Sequence, residues 1–406
     1  MIRYRPLLIL LIAILLSCRK DNQIKTSPSP KANLEIKWRK AIVPNPSIDF
    51  TVAINPILYK NTVVFGTEYF LNNYSAPILF LDTSNGTLEN YWSDYLDGYD
   101  LYTGETSAND GQFLFLSTHH SIDCINLENH RTQWQTKVSG NGPHIYTNKG
   151  YLYTAIDYDG NKGAAILRSP TDHLEWNTIY AFKRTDRFDP SFDSMGFGEL
   201  ANGDEVVVWK NRSYTGSADR TDIFAYNLTA DSLLWRNMDM EINSGIIPLK
   251  VKDQRVFGLV KNHVFCMNLN SGDMIWIRDA RDIVKPTLDF GFFAGDLHLT
   301  SDAVVFKGDS DEIIAVNQSN GALRYIRQDV TWGFEDRFSV YNGKLFFTGG
   351  YQFVVFDPEI GEVLYNEDLS HQFKTIRSRI VFDPLRPVMY FHNGKEAFCV
   401  KIPKLE

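Results

Sequence analysis

The sequence predicts an all-β chain closed into an eight-bladed β-propeller, and three observations predict it. A turn unit recurs seven times in one register. The chain is rich in aromatics, with 27 Phe, 20 Tyr and 8 Trp among 406 residues, and such side chains favour half-buried pleated surfaces. A strand-like segment with an aromatic near the N-terminus matches the strand that is missing after the last C-terminal run.

The repeat comes first, because a fixed period of self-similarity decides the architecture. Each unit is a β-rich run ending in Asp or Asn, a short turn often carrying Gly, and an aromatic eight residues after the anchor. The fullest copies run from Asn268 through Gly272 to Trp276, from Asn317 through Gly321 to Tyr325, and from Asp357 through Gly361 to Tyr365. Asn227 to Trp235 and Asn126 to Trp134 keep the spacing without the Gly; Arg168 to Trp176 keeps it without the Asp or Asn. Asp82 to Gly86 has the turn, but its aromatics slip to Tyr91 and Trp92. The anchors therefore fall at 82, 126, 168, 227, 268, 317 and 357, on average about 46 residues apart, the length of a four-stranded blade.

The residue types explain the unit. An Asp or Asn side chain accepts from the backbone two residues on and starts a tight turn. Gly supplies positive φ at the turn exit. The aromatic is expected to cover the flank of the neighbouring blade, since one blade cannot bury both of its faces alone. Two strands in hairpin order precede the turns, as at 303–307 with 312–317 and at 344–348 with 352–357. A further run upstream, such as 246–251, is the expected innermost strand. At the C-terminus 377–382, 388–392 and 396–402 are three strand-like runs without a fourth. The segment 34–38, ending in Trp38, supplies it. The ring then closes with no open edge. Trp38 as a stray aromatic beside a linker, with seven blades, is the competing reading.

The N-terminus reads as an address. Arg3 and Arg5 precede a short apolar run, 7–16, which ends in Leu15-Leu16-Ser17-Cys18. The run is short for a bilayer span, and the tetrapeptide resembles the bacterial lipobox. That resemblance implies a signal peptide over 1–17, lipidation of Cys18, and several acyl chains holding the protein to a membrane. Residues 18–33 are polar, with Lys, Ser and Pro, and read as a tether; residues 34–406 form the propeller.

The turn unit in turn resembles the pyrroloquinoline-quinone (PQQ) propeller repeat, as in Ala315-Val-Asn317 through Gly321 to Tyr325 and Ala225-Tyr-Asn227 to Trp235. The resemblance covers about 34–402 and implies two branches. Quinoprotein dehydrogenases hold PQQ and calcium over the axis, with an adjacent cysteine pair that this chain lacks. BamB-like lipoproteins are non-catalytic propellers that help assemble outer-membrane proteins, and the lipobox, tether and bare propeller resemble that branch. Cys124 and Cys266 occupy the small-residue slot two before an anchor, and Cys399 sits in the equivalent strand, so all three read as buried small hydrophobes.

The expected function is that of a monomeric, lipid-anchored propeller in the bacterial cell envelope, at the outer membrane on its periplasmic or surface face, binding a protein partner and holding no cofactor. One alternative is a PQQ- and calcium-dependent oxidoreductase or another enzyme with an axial pocket; a second is a glycan or small-ligand binder. A net charge of -8 argues against nucleic acid.

Candidate contact residues lie in 177–204, read as a long insertion with Arg184, Arg187, Phe188 and Phe192, and in 331–338, with Trp332 and Phe334. Segments 97–100 and 289–293 are candidates for the axial mouth. Asp157, Asp159 and Asn161 resemble half of a calcium loop, but the twelfth position is Arg168 and Asp-Gly also suits a hairpin turn. His119 and His120 are adjacent and so point to opposite faces of a strand, which disfavours one shared metal.

Overall fold

The computed structural model describes residues 33–43, 50–69, 74–75, 77–96, 107–118, 121–138, 144–158, 163–183, 188–214, 219–240, 249–260, 263–279, 282, 296–308, 312–328, 338–349 and 351–405. These residues form eight antiparallel sheets in which four strands pair in order. Seven blades are continuous in sequence, at 50–92, 107–137, 145–183, 188–240, 250–279, 297–327 and 339–368. The eighth takes its inner three strands from the C-terminus and its outermost, Ile36–Ala41, from the N-terminus.

Two observations establish the ring. Ile36–Ala41 runs antiparallel to Glu396–Lys401, with Trp38 opposite Cys399 and Ala41 opposite Glu396. The core is also divided into eight clusters, each lying between two neighbouring blades. Val304 and Phe306 pack toward blade 5 with Phe257 and Trp276. Their neighbours Ala303 and Val305 pack toward blade 7 with Phe347 and Phe356. The last cluster joins Trp38, Tyr390 and Cys399 of blade 8 to Val63, Phe65 and Leu81 of blade 1. Alternate residues of one strand thus bury on opposite flanks, and no blade is left with a bare face.

The repeat acquires a mechanism here. The anchor carboxylate or amide accepts from the turn backbone: Asp82 Oδ1 from the Ser84 amide at 2.8 Å, Asn268 Oδ1 from Asn270 at 2.8 Å, Asn227 Oδ1 from Thr229 at 2.9 Å. In every blade a register shift falls between the third and fourth strands, as between Thr132 and Trp134 or between Cys266 and Met267. Such a bulge re-aims the following side chain, which is an aromatic in seven blades and Asn90 in blade 1. The aromatic ring reaches the next blade. The indole N–H of Trp38 donates to the Thr83 carbonyl at 3.0 Å, that of Trp235 to Leu269 at 2.7 Å and that of Trp276 to Gln318 at 2.8 Å. The Tyr325 hydroxyl donates to Pro358 at 2.7 Å. In each case the acceptor is the residue after the next anchor.

Glycine is required where these rings land. Gly86, Gly272, Gly321 and Gly361 have φ between +68° and +75°. A β-carbon on any of them would stand 2.6–2.8 Å from the ring of Trp38, Trp235, Trp276 or Tyr325 respectively. Two of the copies that lack Gly, those anchored at Asn126 and Asn227, still enter the left-handed region, with φ +58° at His130 and +51° at Asp231. There the clasp changes: His130 stacks on Phe80 of the preceding blade at 4.2 Å, and Asp231 accepts from the Tyr226 hydroxyl at 2.9 Å.

Three expectations need correcting. In blade 3 the in-register aromatic is Tyr180, opposite Ile166, and not Trp176. The third strand runs on to Pro170, so the turn after it opens later than in the other blades and Trp176 precedes the fourth strand. Residues 177–204 are not a loop insertion. Apart from 184–187, which lie outside the described residues, they form the outer strand Asn177–Lys183, the twelve-residue inner strand Phe188–Glu199 and a turn. Two register shifts in that inner strand break the alternation that would have revealed it, and Gly196 and Gly198, which look like breakers, let Leu249 and Val251 of blade 5 approach. Finally, 377–382 is a strand only at Val381–Phe382. It is preceded by a short helix, Ser370–Phe373, and the Arg377 and Ser378 amides share the His392 carbonyl instead of entering a ladder. The expected inner strand at 246–251 is Lys250–Lys252, with 246–248 outside the described residues.

Candidate binding faces and the axial cavity

The antiparallel order of each blade sorts its connections by face. Turns from first to second strand and from third to fourth open on one face, and all of them are short and described, as at 60–61, 111–112 and 342–343. Connections from second to third strand, and from one blade to the next, open on the other. Every loop singled out in the sequence belongs to the second set.

Cys18, Arg184, Arg187, Trp332, Phe334, Asp159, Asn161, His119 and His120 lie outside the described residues, as do 97–100 and 289–293. Asp157 falls at the end of the strand Tyr151–Tyr158, which turns back at Gly163, so the calcium-like loop bridges a blade hairpin. Phe188 begins the inner strand of blade 4. Phe192 stands in that strand with its ring 5.7 Å from His144 and 6.0 Å from Tyr146; it packs in the seam between blades 3 and 4. Among the described residues no group of three or more His, Cys, Asp or Glu side chains is placed to hold a metal ion.

Among the described residues, Cys124, Cys266 and Cys399 are buried and free. Burial pushes the Cys266 thiol up to about 12 and Cys399 to about 11, and Cys124 higher still, so all three stay protonated and unreactive. Each faces its blade's aromatic across the ladder, Cys124 opposite Trp134 and Cys266 opposite Trp276. A small side chain is needed there.

Sequence reasoning named segments for the axial mouth but not the residues that line the cavity beside the axis. The inner strands of blades 7, 8, 1 and 2 line an open cavity of about 470 Å³. Its polar lining is Asn55, Asn109, Ser339 and Arg379, and its apolar lining includes Pro56, Ile57, Phe338 and Phe382. A second cavity, about 410 Å³, lies at the short-turn face among blades 3, 4 and 5, with Lys149, Glu199, Lys252 and Asp253 on its walls. Lys149 is held there by Glu199 at 2.6 Å and Glu205 at 2.8 Å. No sequence signal announces the first cavity, because its walls come from both ends of the chain.

The seam between blades 8 and 1 holds several buried polar groups. The Thr83 carbonyl accepts from Trp38 and also from the Tyr390 hydroxyl at 3.2 Å. Burial opposes the charge on Asp383, but the Leu385 amide, the Arg386 guanidinium at 2.6 Å and the Tyr390 hydroxyl outweigh it, and the carboxyl titrates below its usual range. His392 is fully buried, 3.3 Å from the Ile54 carbonyl and edge-on to Phe65. Burial drops its pKa to about 4.

Solved structures share this architecture at low identity. BamB from Moraxella catarrhalis superposes with TM-score 0.59 at 8% identity, covering 91% of this chain and 100% of that one. Sqt1 from Saccharomyces cerevisiae gives 0.63 at 11%, covering 92% and 100%. Quinohemoprotein alcohol dehydrogenase from Comamonas testosteroni gives 0.62 at 9%, covering 92% of this chain and 77% of that one. This is an eight-bladed β-propeller. No family model matches the propeller, and no curated protein matches it in sequence. A likeness this distant carries the fold alone.

Proposed function

We propose that the chain is a lipid-anchored cell-envelope protein whose propeller is a non-catalytic scaffold for a protein partner. The observation that carries this reading is the inequality of the two faces. One is closed by tight Asx-anchored turns. The other receives the blade-to-blade connections, including those that bear Arg184, Arg187, Trp332 and Phe334, and mixed charge with aromatics suits a protein interface. The propeller spans the whole of BamB and of Sqt1 in the superpositions, which supports a bare scaffold. Membrane attachment rests on the lipobox at Cys18 after a short apolar run, and assembly of outer-membrane proteins is the narrower form of the proposal. The protein acts as a monomer without cofactor.

Two measurements test it. Cys18→Ser should abolish incorporation of labelled fatty acid and move the protein from the membrane to the soluble fraction. Affinity capture with the full-length chain should return a partner that Trp332→Ala with Phe334→Ala loses and Leu385→Ser, on the short-turn face, retains. A partner lost equally with both would refute the assignment of the face.

A further inference from the structure

We infer that the turn Asn342–Gly343 is a site of spontaneous covalent modification, in which the asparagine loses ammonia and becomes aspartate or β-linked isoaspartate, and that the fold protects the other described Asn-Gly pairs. This goes beyond the partner-binding role and does not depend on it. The chain has six Asn-Gly pairs, of which Asn141–Gly142 lies outside the described residues. A glycine puts no side chain in the way of attack on its neighbour, so the sequence makes every pair a candidate. The structure separates them. In four described pairs the reacting groups are already held. The Gly86 N–H donates to the Asp82 carbonyl at 2.9 Å, that of Gly203 to Leu200 at 2.9 Å and that of Gly321 to Asn317 at 2.8 Å. Asn85 Oδ1 accepts from the Thr87 amide at 2.7 Å, Asn202 from Asp204 at 3.1 Å and Asn320 from Ala322 at 2.9 Å. Asn393 is buried, accepts from the Lys395 and Glu396 amides and donates to the Phe373 carbonyl, while the Gly394 N–H donates to His392 Nδ1 at 3.3 Å.

Asn342 and Gly343 differ. They are the two central residues of the hairpin between Ser339–Tyr341 and Lys344–Gly349 of blade 7, with Tyr341 opposite Lys344. Their φ values are +49° and +71°, as in a type I′ turn, whose ladder bonds join the flanking residues and leave the central amides to solvent. Both residues are exposed. Among the described residues neither the Asn342 side chain nor the Gly343 N–H has a partner, and nothing lies within 4 Å of a β-carbon placed on Gly343. The Gly343 nitrogen gives its proton to a solvent base and attacks Asn342 Cγ. A C–N bond forms, the side-chain nitrogen takes a proton from solvent and leaves as ammonia, and a cyclic imide remains. Water then opens the imide. Cleavage at Cγ gives aspartate; cleavage at the backbone carbonyl gives isoaspartate, with the main chain routed through Cγ. Both products add a negative charge. The second also lengthens the main chain by one methylene beside Tyr341, whose ring stacks on Phe382 of blade 8 at 4.8 Å.

The test is to age the folded full-length chain in mildly alkaline buffer, with a parallel sample unfolded in urea. Tryptic peptides are then quantified by mass spectrometry, with aspartate and isoaspartate forms separated by chromatography; Asn342 falls in the peptide 338–344. Asn202 is the strictest comparison, because nothing lies within 4 Å of a β-carbon on Gly203 either and only the hydrogen bonds differ. In the folded chain Asn342 should convert about tenfold or more faster than Asn202, which must first give up two hydrogen bonds. In urea the two rates should converge. Equal rates at the two sites in the folded chain, or a gap that persists undiminished in urea, would overturn the assignment.

Discussion

Trp38 and Gly86 meet face to face across the closing seam. The Cδ2 and Cε3 atoms of the indole lie 2.8 Å from the place a β-carbon would occupy on Gly86, whose φ is +71°. The contact fixes one residue type at each end. Replacing Gly86 by Ala should cost about 3 kcal/mol, part from the left-handed backbone and part from displacing the ring. Gly111→Ala is the control: φ is +53° there, but nothing lies within 4 Å, so only the backbone penalty of about 1 kcal/mol remains. Urea unfolding of the two variants measures the difference. Equal losses would mean that the ring contact contributes nothing.

The indole N–H groups are not equivalent. Trp235 donates to the Leu269 carbonyl, and Trp38 to the Thr83 carbonyl, which keeps a second donor in Tyr390. Trp235→Phe should therefore destabilise the ring by about 1–2 kcal/mol more than Trp38→Phe, because a buried carbonyl without a donor costs more than the lost bond itself. Chemical denaturation resolves a gap of that size.

His392 makes stability depend on pH. Its pKa is about 4 in the ring against 6.5 when exposed. Between those values the unfolded chain binds a proton that the folded chain refuses. The contribution of His392 is fully present above pH 6.5 and is lost progressively as pH falls toward 4, by roughly 3 kcal/mol in total. Unfolding midpoints at pH 7, 5.5 and 4.5 should fall in that order, and His392→Phe should flatten the slope over that interval. An unchanged slope in the variant would assign the acid sensitivity to other groups.

Ring closure can be tested by deletion. Removing residues 34–41 takes away the fourth strand of blade 8 and uncovers Cys399 and Tyr390 beside blade 1. The shortened chain should lose its single cooperative unfolding transition and bind a hydrophobic dye. Removing 19–32 should leave the transition temperature unchanged.

Much of this was legible from local chemistry. Asn227, Asn268 and Asp357 act on their own backbone within a few residues, and the aromatic eight positions on is aimed by a bulge that recurs in each blade. Such features repeat wherever the chain rebuilds the same turn. Closure through Trp38 was legible for the same reason: the segment is a fourth strand without its first three. Failures came where a nonlocal need overrode the pattern. Trp176 keeps the spacing by coincidence, while the longer turn after Pro170 hands its place to Tyr180. Gly196 and Gly198 are dictated by blade 5, which the local sequence does not contain. The axial cavity was invisible because Asn55 and Ser339 come from opposite ends of the chain and are joined only through the backbone of Arg379 and Ile380.

The pairing of Ile36 with Val400 also sets a timetable. The first strand of the ring to leave the ribosome is the one whose partner is made last, and a contact that spans almost the whole chain is slow to form. Until the final residues arrive, Trp38 has neither Cys399 opposite it nor blade 8 beneath it, and the flank of blade 1 stays bare. A nascent chain that has not reached Glu396–Lys401 is thus an open arc with two sticky ends, exposed to self-association, and the ring becomes safe only once that strand has been made.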